Sequence, residues 1–439
     1  MDNMIQEVST MQYRHRFRLT YKKIATFILA YCIVAGFLVN NLGLPNVLLY
    51  FSDILNLFML YYIFKKHAFS FLKKIKLNGF RTLLIILLLS NLIGIIFNFV
   101  SPHLVVWGAR NTYRGIIFFI ACMMLYTTED VKSIFNVLFS VQIINLIDGL
   151  IQFLFMGLKQ DTLGGIFGHG AGVSLDIFCG ILGTYYLMAY IDKKESIWKL
   201  AAVYASSIIL AVIAEEGFIF IEFAVLTVLG ILLSNFNSGV LNYRRIIFVP
   251  ISIIAIILGF RFLQIYFPVA ATKLVNVNAV ISYAGATGGG IELPRVGSFA
   301  IIRRMFFADD LFRFLFGFGV GNCEYGAFPF LVSNFYRNYG YLHYKWFPTQ
   351  NTFLEQGIIG FVLYVGLFVA IGIYMIKNMK YVEKENRYIV WSTLIFDVIC
   401  IMSIWYNNSL KSDTLFLPFF ALSAGIIVIK CGKAKADEH

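Results

Sequence analysis

The sequence predicts an all-α protein that crosses a membrane about twelve times, and two observations support this. First, 59% of the 439 residues are hydrophobic and only 14% are charged, whereas a soluble domain averages about 25% charged residues. Second, the apolar residues fall into runs of roughly 17 to 25, the length that a helix needs to cross a bilayer. A large soluble core is therefore excluded, and a polytopic membrane protein is predicted.

The candidate spans are separated by polar junctions or by junctions that contain glycine or proline. They cover about 24–40, 46–64, 82–100, 113–127, 132–157, 173–191, 199–213, 217–234, 246–266, 351–376, 388–406 and 414–430. The fourth and seventh are short, which predicts a tilted or kinked helix at each of these places.

The lysines and arginines predict the orientation of the chain in the membrane. With the N-terminus inside, most of the 36 basic residues fall in cytoplasmic ends and loops, such as 65–81 and 377–387. Both termini are therefore predicted to be cytoplasmic. The same distribution accounts for most of the net charge of +12, so no nucleic-acid partner is predicted.

One connection between predicted spans is much longer than the others and divides the chain into three parts. Residues 1–266 hold nine spans, residues 267–350 form an extracytoplasmic loop, and residues 351–439 hold the last three spans. The loop is rich in aromatic residues, so it is expected to fold as a small helical cap. Residues 298–316 predict an amphipathic helix, which lies either on the outer leaflet or on its own domain.

The ionisable residues in the predicted spans lie mostly at one level, the outer boundary of the membrane. They are Arg110, Arg114, Asp148, His169, Asp176, Glu215, Glu216, Glu222, Arg261 and Glu355. Asp397, in the middle of a span, is the exception. Charged groups in a span are costly and mark functional sites. This distribution predicts a site for a molecule presented at the outer leaflet, because an ion pathway needs polar groups through the full thickness.

Two kinds of chemistry are available at this level. Arginine is suited to pyrophosphate because its planar fork carries a fixed charge and donates two hydrogen bonds at once. The outer candidates are Arg110, Arg114, Arg295, Arg303 and Arg304. His169, Glu215 and Glu216 are candidates for a general base that activates a hydroxyl group. The alternatives are lipid headgroup or acidic contacts for each arginine and a surface loop position for His169.

The start of the tenth predicted span places further polar residues at the same level. Asn351 and Glu355 are four residues apart and therefore share one helical face. Residues 350–352 are expected to cap this helix with their side chains. Gln350 and Asn351 are assigned to substrate binding and Glu355 to catalysis. The pocket is expected to combine Arg110 and Arg114 with His169 and the two neighbouring glutamates.

The order of several short motifs resembles the O-antigen polymerase and ligase superfamily of bacterial membranes, often called Wzy and Wzy-C proteins. The matching pieces are Arg295 near the start of the long loop, the LFGFGVG turn at 315–321, and residues 350–360 at the start of the next span. The segment 164–170, GGIFGHG, also looks like an outer turn of that family. Together with the topology, the resemblance covers most of the chain.

The resemblance implies a membrane glycosyltransferase of the C-type fold in the bacterial cytoplasmic membrane. Family donors are glycans on undecaprenyl pyrophosphate, which are transferred to a sugar hydroxyl of another lipid-linked unit or to lipid A core. The partners implied are this lipid-linked oligosaccharide and membrane lipid, and a chain-length regulator is compatible with them. Family arginines hold the pyrophosphate, and neither a metal nor another cofactor is implied.

One departure from the family pattern bears on the mechanism. The histidine that the ligases place before the asparagine is Gln350 in this chain, and glutamine cannot act as a base. This favours a repeat-unit polymerase over a ligase, with Arg295 and Arg114 stabilising the departing pyrophosphate. A lipid-linked oligosaccharide flippase remains the alternative from another class. A metal-dependent transferase remains a third, although its expected acidic motif is missing from the first outer loop.

Overall fold

A computed structural model describes residues 20–238, 257, 261, 264, 265, 292–295 and 297–438, and all regular structure in this part is helical. Eight helices there are long and apolar enough to cross a membrane. The chain is therefore a multi-pass membrane protein, as its composition predicts. Most of the predicted ninth span, 246–266, and the first part of the predicted loop lie outside the described residues.

We number fifteen α-helices in the described part, in chain order. They are α1 (Tyr21–Asn40), α2 (Phe51–Lys65), α3 (Ala68–Lys74), α4 (Asn78–Phe97), α5 (Pro102–Leu125), α6 (Thr128–Leu154), α7 (Gly172–Ile191), α8 (Ile197–Ile213), α9 (Gly217–Ser238), α10 (Ser298–Ile302), α11 (Leu311–Phe316), α12 (Asn334–Tyr339), α13 (Pro348–Asn378), α14 (Arg387–Tyr406) and α15 (Phe416–Glu438).

Helix α5 is longer than the short fourth span that the sequence predicts at 113–127. It begins at Pro102 and has 24 residues, and proline suits a first helical position because its missing N–H has no partner there anyway. The polar residues of the first half, among them Arg110 and Arg114, interrupt the apolar run, so the sequence predicts only the second half of this helix. Those two arginines therefore lie inside a helix rather than at its start.

One end of the bundle gathers the loops that carry most of the lysines. Lys22, at the start of α1, pairs with Asp130 at the start of α6, with Nζ and Oδ1 2.6 Å apart. Lys435, near the end of α15, pairs with Glu383 between α13 and α14 at 2.7 Å. Lys430, also in α15, donates to the Tyr126 carbonyl just before α6 at 2.9 Å, so both ends of the described chain lie on this side.

The opposite end carries the described part of the long loop. Asn98, after α4, donates from Nδ2 to the Gly317 carbonyl at 3.1 Å, and Thr414, before α15, donates to Ser174 Oγ of α7 at 2.7 Å. The loop packs around a small core of buried side chains. This core consists of Leu293, Ile302, Phe307, Cys323, Leu342, Tyr344, Phe353 and Leu354.

The prediction of one continuous helix over 298–316 is wrong. Helix α10 ends at Ile302 and continues as a π-helical turn to Phe307, and the chain then reverses at Ala308, where φ is +47°. A new helix, α11, starts after Asp310, whose carboxylate accepts the Arg313 N–H at 3.0 Å. The Asp310 cap favours the start of a new helix over continuation of the first one, because short acidic side chains are preferred at the position before a helix.

Candidate functional site

A polar cavity of about 220 Å³ lies at the end of the bundle that carries the long loop. Its walls come from α5, the start of α13, the loop segment before α12, and the connection between α14 and α15. The lining side chains of these elements are mostly charged or polar. They are Tyr50, Trp107, Arg110, Asn111, Arg114, Glu324, Tyr325, Lys345, Asn351, Asn408, Lys411, Ser412 and Asp413. Four cations thus line the cavity against two carboxylates.

Two arginines of α5 share one acid of α2. Arg110 and Arg114 are one helical turn apart, and both bind the carboxylate of Asp53, with Arg114 Nη1 3.1 Å from Asp53 Oδ1. Arg114 is only 4% exposed, so its charge needs this partner. The guanidinium of Arg110 also lies 4.6 Å from the ring centre of Trp107. Arg114 is therefore a fixed part of the wall, whereas Arg110 faces the cavity from a less buried position.

The connection between α14 and α15 brings a lysine and an acid to the cavity. Arg114 Nη2 donates to the carbonyls of Lys411 and Ser412, each at 2.9 Å, and this fixes the connection against α5. Lys411 Nζ donates to Thr352 Oγ1 at 3.0 Å. Burial lowers the pKa of Lys411 to about 8, and the charge of Glu355 acts against that shift. Asp413, 44% exposed, lies 3.6 Å from Arg114.

A second charged group comes from the long loop. The Glu324 carboxylate pairs with Lys345 and accepts a hydrogen bond from Asn111 Nδ2 at 2.8 Å. Its other oxygen accepts a longer bond, 3.4 Å, from Asn351 Nδ2. Glu324 is 1% exposed, so these donors hold its charge in place. The group joins α5, the loop and the start of α13 into one wall.

The glycine-rich turn 317–321 positions this wall because it packs closely against α13 and forms hydrogen bonds with its backbone. The helix breaks at Gly357, where φ is +64°. The N–H groups of Phe318 and Gly319 donate to the backbone carbonyls of Leu354 and Glu355, just before this break, at 2.8 and 2.9 Å. A Cβ on Gly317 would lie 2.5 Å from the Glu355 carbonyl carbon. Only glycine permits this approach, because a side chain would overlap the helix backbone.

The side chain of Glu355 completes this arrangement. It is fully buried, and its Oε1 accepts the N–H groups of Gly321 and Cys323, each at 3.0 Å. Its carboxylate therefore closes the turn that leads into Glu324. Glu355 does not line the cavity in the described part of the chain. One carboxylate oxygen thus holds the turn, the other has no hydrogen-bond partner among the described residues, and the catalytic role suggested by the sequence stays a prediction.

An apolar groove of about 610 Å³ adjoins the cavity between α2, α4 and α5. Its walls are mainly aliphatic and aromatic, and they extend from Asp53 at the cavity end to His67 after α2. Arg110 and Arg114 line both the groove and the polar cavity. The two spaces therefore meet at these arginines, and the combined site suits a long apolar molecule with an anionic head.

The other residues predicted for the start of α13 are buried behind the cavity. Gln350 donates from Nε2 to the carbonyls of Leu293 and Pro294 at 3.4 and 3.0 Å. The prediction that residues 350–352 cap the helix is wrong, because α13 begins at Pro348 behind Phe347 and has no side-chain cap. These residues lie within the first turn. Asn351 alone of the predicted pair Gln350 and Asn351 lines the cavity.

The three arginines predicted in the long loop lie elsewhere. The guanidinium of Arg295 is 4.6 Å from the ring centre of Tyr406 and 5.0 Å from that of Phe347. Arg303 lies 4.9 Å from the ring of Phe314 and is exposed, as is Arg304. None of the three lines the polar cavity within the described residues.

The predicted bases form a separate region. The backbone N–H of His169 donates to Asn41 Oδ1, and the His169 carbonyl accepts from Asn40 Nδ2, both at 3.2 Å. Glu215 accepts from Gln160 Nε2 at 3.0 Å, and the Glu216 carboxylate packs against Gly172. We call this the His169 region, defined by His169, Glu215 and Glu216. None of its three residues lines the cavity described above.

Five charged residues at or beside the cavity were not assigned from the sequence, and a sequence signal is evident for two of them. Four line the cavity and Asp53 lies beside it in the groove; the four are Glu324, Lys345, Lys411 and Asp413. Asp53 is an acid near the start of a predicted span, the same property that singled out the other acids. Lys411 lies in a short connection that the sequence predicts on the outer side, where cations are otherwise few. Glu324 and Lys345 have no such signal, because only the folded loop brings them together.

Comparison with known proteins adds no relative. No protein-family model matches the chain, and no curated protein matches it. Among the described residues, no three His, Cys, Asp or Glu side chains are grouped so that they could hold a metal ion.

Proposed function

We propose that the protein is a polysaccharide repeat-unit polymerase, a glycosyltransferase whose donor is a glycan on a polyprenyl pyrophosphate. The observation that supports this most is the junction of the apolar groove with the cationic cavity at Arg110 and Arg114. A lipid with a long apolar chain and a diphosphate head matches both spaces. The family resemblance of the sequence points to the same donor, undecaprenyl pyrophosphate.

The proposed binding mode follows from the charges. The polyprenyl chain lies in the groove, and the diphosphate is held by Arg110, Lys345 and Lys411. Arg114 is buried against Asp53 and the 411–412 carbonyls, so it supports the wall and adds its charge from behind. Arg295 was predicted to stabilise the pyrophosphate together with Arg114, but Arg295 packs over two aromatic rings and does not line the cavity.

The transfer needs a base and a stabilised leaving group. The acceptor hydroxyl oxygen forms a bond to the anomeric carbon, and the bond from that carbon to the pyrophosphate oxygen breaks. The leaving group departs as polyprenyl pyrophosphate, whose growing negative charge is stabilised by the cavity cations. The hydroxyl proton passes to Asp413, which is the more exposed of the two carboxylates that line the cavity. Glu324 already accepts bonds from three donors.

Chain extension by the purified protein tests this proposal. The full-length protein in lipid nanodiscs is incubated with polyprenyl-pyrophosphate-linked oligosaccharide repeat units, and the products are separated by size. We expect a ladder of longer glycans and released polyprenyl pyrophosphate. Asp413→Asn should slow extension by about 10²- to 10⁴-fold without lowering protein yield. Absence of any extension by the wild-type protein would refute the proposal.

A transporter of lipid-linked oligosaccharide is the second candidate. Two acids deep in the bundle favour it, because Glu222 of α9 is fully buried and Asp397 of α14 is 2% exposed, and buried acids are common in transport paths. Movement of fluorescent lipid-linked oligosaccharide across proteoliposomes, without chain extension, would support this function. Glu222→Gln and Asp397→Asn should then stop transport.

A further inference from the structure

The polar cavity also contains hydrogen-bond acceptors that a diphosphate cannot satisfy. The Asn351 and Asn408 carbonyl oxygens, both buried, accept no hydrogen bond from any residue that the structure describes. Both side chains line the cavity. A buried acceptor without a donor is costly, and phosphate oxygens cannot donate to it. A ligand with hydrogen-bond donors of its own would satisfy both acceptors.

The orientation of the Asn351 amide follows from its neighbour. Its Nδ2 lies 3.4 Å from Glu324 Oε1, and Glu324 pairs with Lys345 and accepts from Asn111. The oxygen facing Asn351 therefore accepts a bond, so the amide nitrogen of Asn351 must face it. This leaves the Asn351 carbonyl oxygen directed away from Glu324. Asn351, 1% exposed, thus presents an unpaired acceptor, which a phosphate oxygen cannot satisfy.

An aromatic ring lines the same cavity as these acceptors. Tyr325 lines the cavity and is 51% exposed. It packs on the ring of Tyr336, with centroids 4.9 Å apart, and its backbone carbonyl accepts from Trp107 Nε1 at 2.8 Å. The backbone of Tyr325 is thereby fixed while much of its side chain stays accessible. An accessible aromatic ring beside hydrogen-bond acceptors suits a flat ligand that has an apolar face and polar edges.

We propose that Asn351, Asn408 and Tyr325 form the subsite for the first sugar of the donor. The pyranose ring lies with its C–H face on Tyr325, and its hydroxyl groups donate to the two amide carbonyls. This inference rests on the proposed function, since it places the sugar next to the diphosphate held by Arg110, Lys345 and Lys411. The inference adds that the protein binds the hydroxyl-bearing pyranose of the donor as well as its lipid diphosphate.

Paired binding probes test the subsite. The full-length protein in nanodiscs is titrated with farnesyl pyrophosphate and with a panel of hexopyranosyl pyrophosphoryl farnesols. At least one glycosylated probe should bind the wild-type protein about tenfold more tightly than farnesyl pyrophosphate. Tyr325→Ala and Asn408→Leu should remove most of this difference while binding of farnesyl pyrophosphate is kept. Tyr325→Phe is the matched control, because it keeps the ring and should keep the difference.

The outcomes separate this inference from the function on which it rests. Equal binding of farnesyl pyrophosphate and every glycosylated probe by the wild-type protein would overturn the sugar subsite and leave the diphosphate site standing. A difference that survives both Tyr325→Ala and Asn408→Leu would also overturn it, because the sugar would then bind elsewhere. Failure of all probes to bind would contradict the proposed function itself.

Discussion

The polar cavity and the His169 region use polar side chains in different ways. In the cavity, side chains from distant parts of the chain converge on a space, and Arg110, Lys411 and Asp413 line it. In the His169 region, Asn41 accepts from the His169 N–H and Gln160 donates to Glu215, whereas the buried His169 Nε2 has no hydrogen-bond partner among the described residues. Both regions contain ionisable residues that the sequence places at one level. The shared level therefore does not show which of them binds a ligand.

Among the substitutions that compare the two regions, loss of a cavity cation should lower the rate of chain extension most. Arg110→Ala should lower chain extension by about 10²- to 10³-fold, because a charge aimed at the leaving group is removed. Folding should survive, since Arg114 still pairs with Asp53. The measurement is the extension rate of purified protein at matched concentration.

Arg303→Ala is the matched control for that variant. Arg303 is an exposed arginine of the long loop, 4.9 Å from the Phe314 ring and outside the cavity lining. Its loss should change the rate by about twofold or less. Equal losses in the two variants would mean that the cavity has no special part in the reaction.

The turn that positions the cavity wall provides a test of packing. A Cβ on Gly321 would lie 2.0 Å from the Leu104 carbonyl oxygen, whereas a Cβ on Gly297 meets nothing within 4 Å. Both glycines have positive φ, +97° and +82°, so the backbone strain of an alanine is similar. Gly321→Ala should therefore cost about 1–3 kcal/mol more than Gly297→Ala. Thermal unfolding in detergent measures the difference, and equal Tm values would contradict the close approach.

Lys411 makes anion binding by the cavity depend on pH. Its pKa of about 8 in the ligand-free protein means that the ammonium group is mostly charged at pH 7 and mostly neutral at pH 9. Binding of a diphosphate needs the charged form, so the Kd for farnesyl pyrophosphate should rise about tenfold between these pH values. Lys411→Arg keeps its charge and should reduce this pH dependence. The part that remains comes from Lys345, whose pKa burial also lowers. A wild-type curve as flat as that of the arginine variant would contradict this role.

The sequence predicts the helical class of the protein well, because hydropathy reports directly on burial in a bilayer. It is less successful where polar residues lie inside helices. The first half of α5 belongs to the helical bundle, yet polar residues such as Arg110 and Arg114 interrupt the apolar run from which a span is predicted. The break at Ala308 is also missed, because a helical periodicity alone does not reveal that Asp310 starts a new helix.

The cavity itself depends on contacts between residues far apart in the chain. Glu324 and Lys345 become neighbours only after the loop has folded on α13, and Lys411 reaches Thr352 from the connection between α14 and α15. No local pattern encodes such pairs. The family motifs singled out the 315–321 turn and the start of α13 separately, and the structure shows that they are in contact, because the N–H groups of Gly321 and Cys323 donate to Glu355.

Substitution of His169 is predicted to have the smallest effect on chain extension, and it tests directly whether the His169 region takes part in the reaction. His169→Ala should leave chain extension within about twofold of the wild-type rate, because the hydrogen bonds to Asn40 and Asn41 come from the backbone of residue 169 and survive the substitution. The extension assay described above measures this. Asn41→Ala is the companion variant, since it removes the acceptor of that backbone N–H and should lower thermal stability more than His169→Ala does. A loss of 100-fold or more in His169→Ala at normal protein yield, roughly the contribution of a general base, would instead make His169 the base and displace Asp413 from that role.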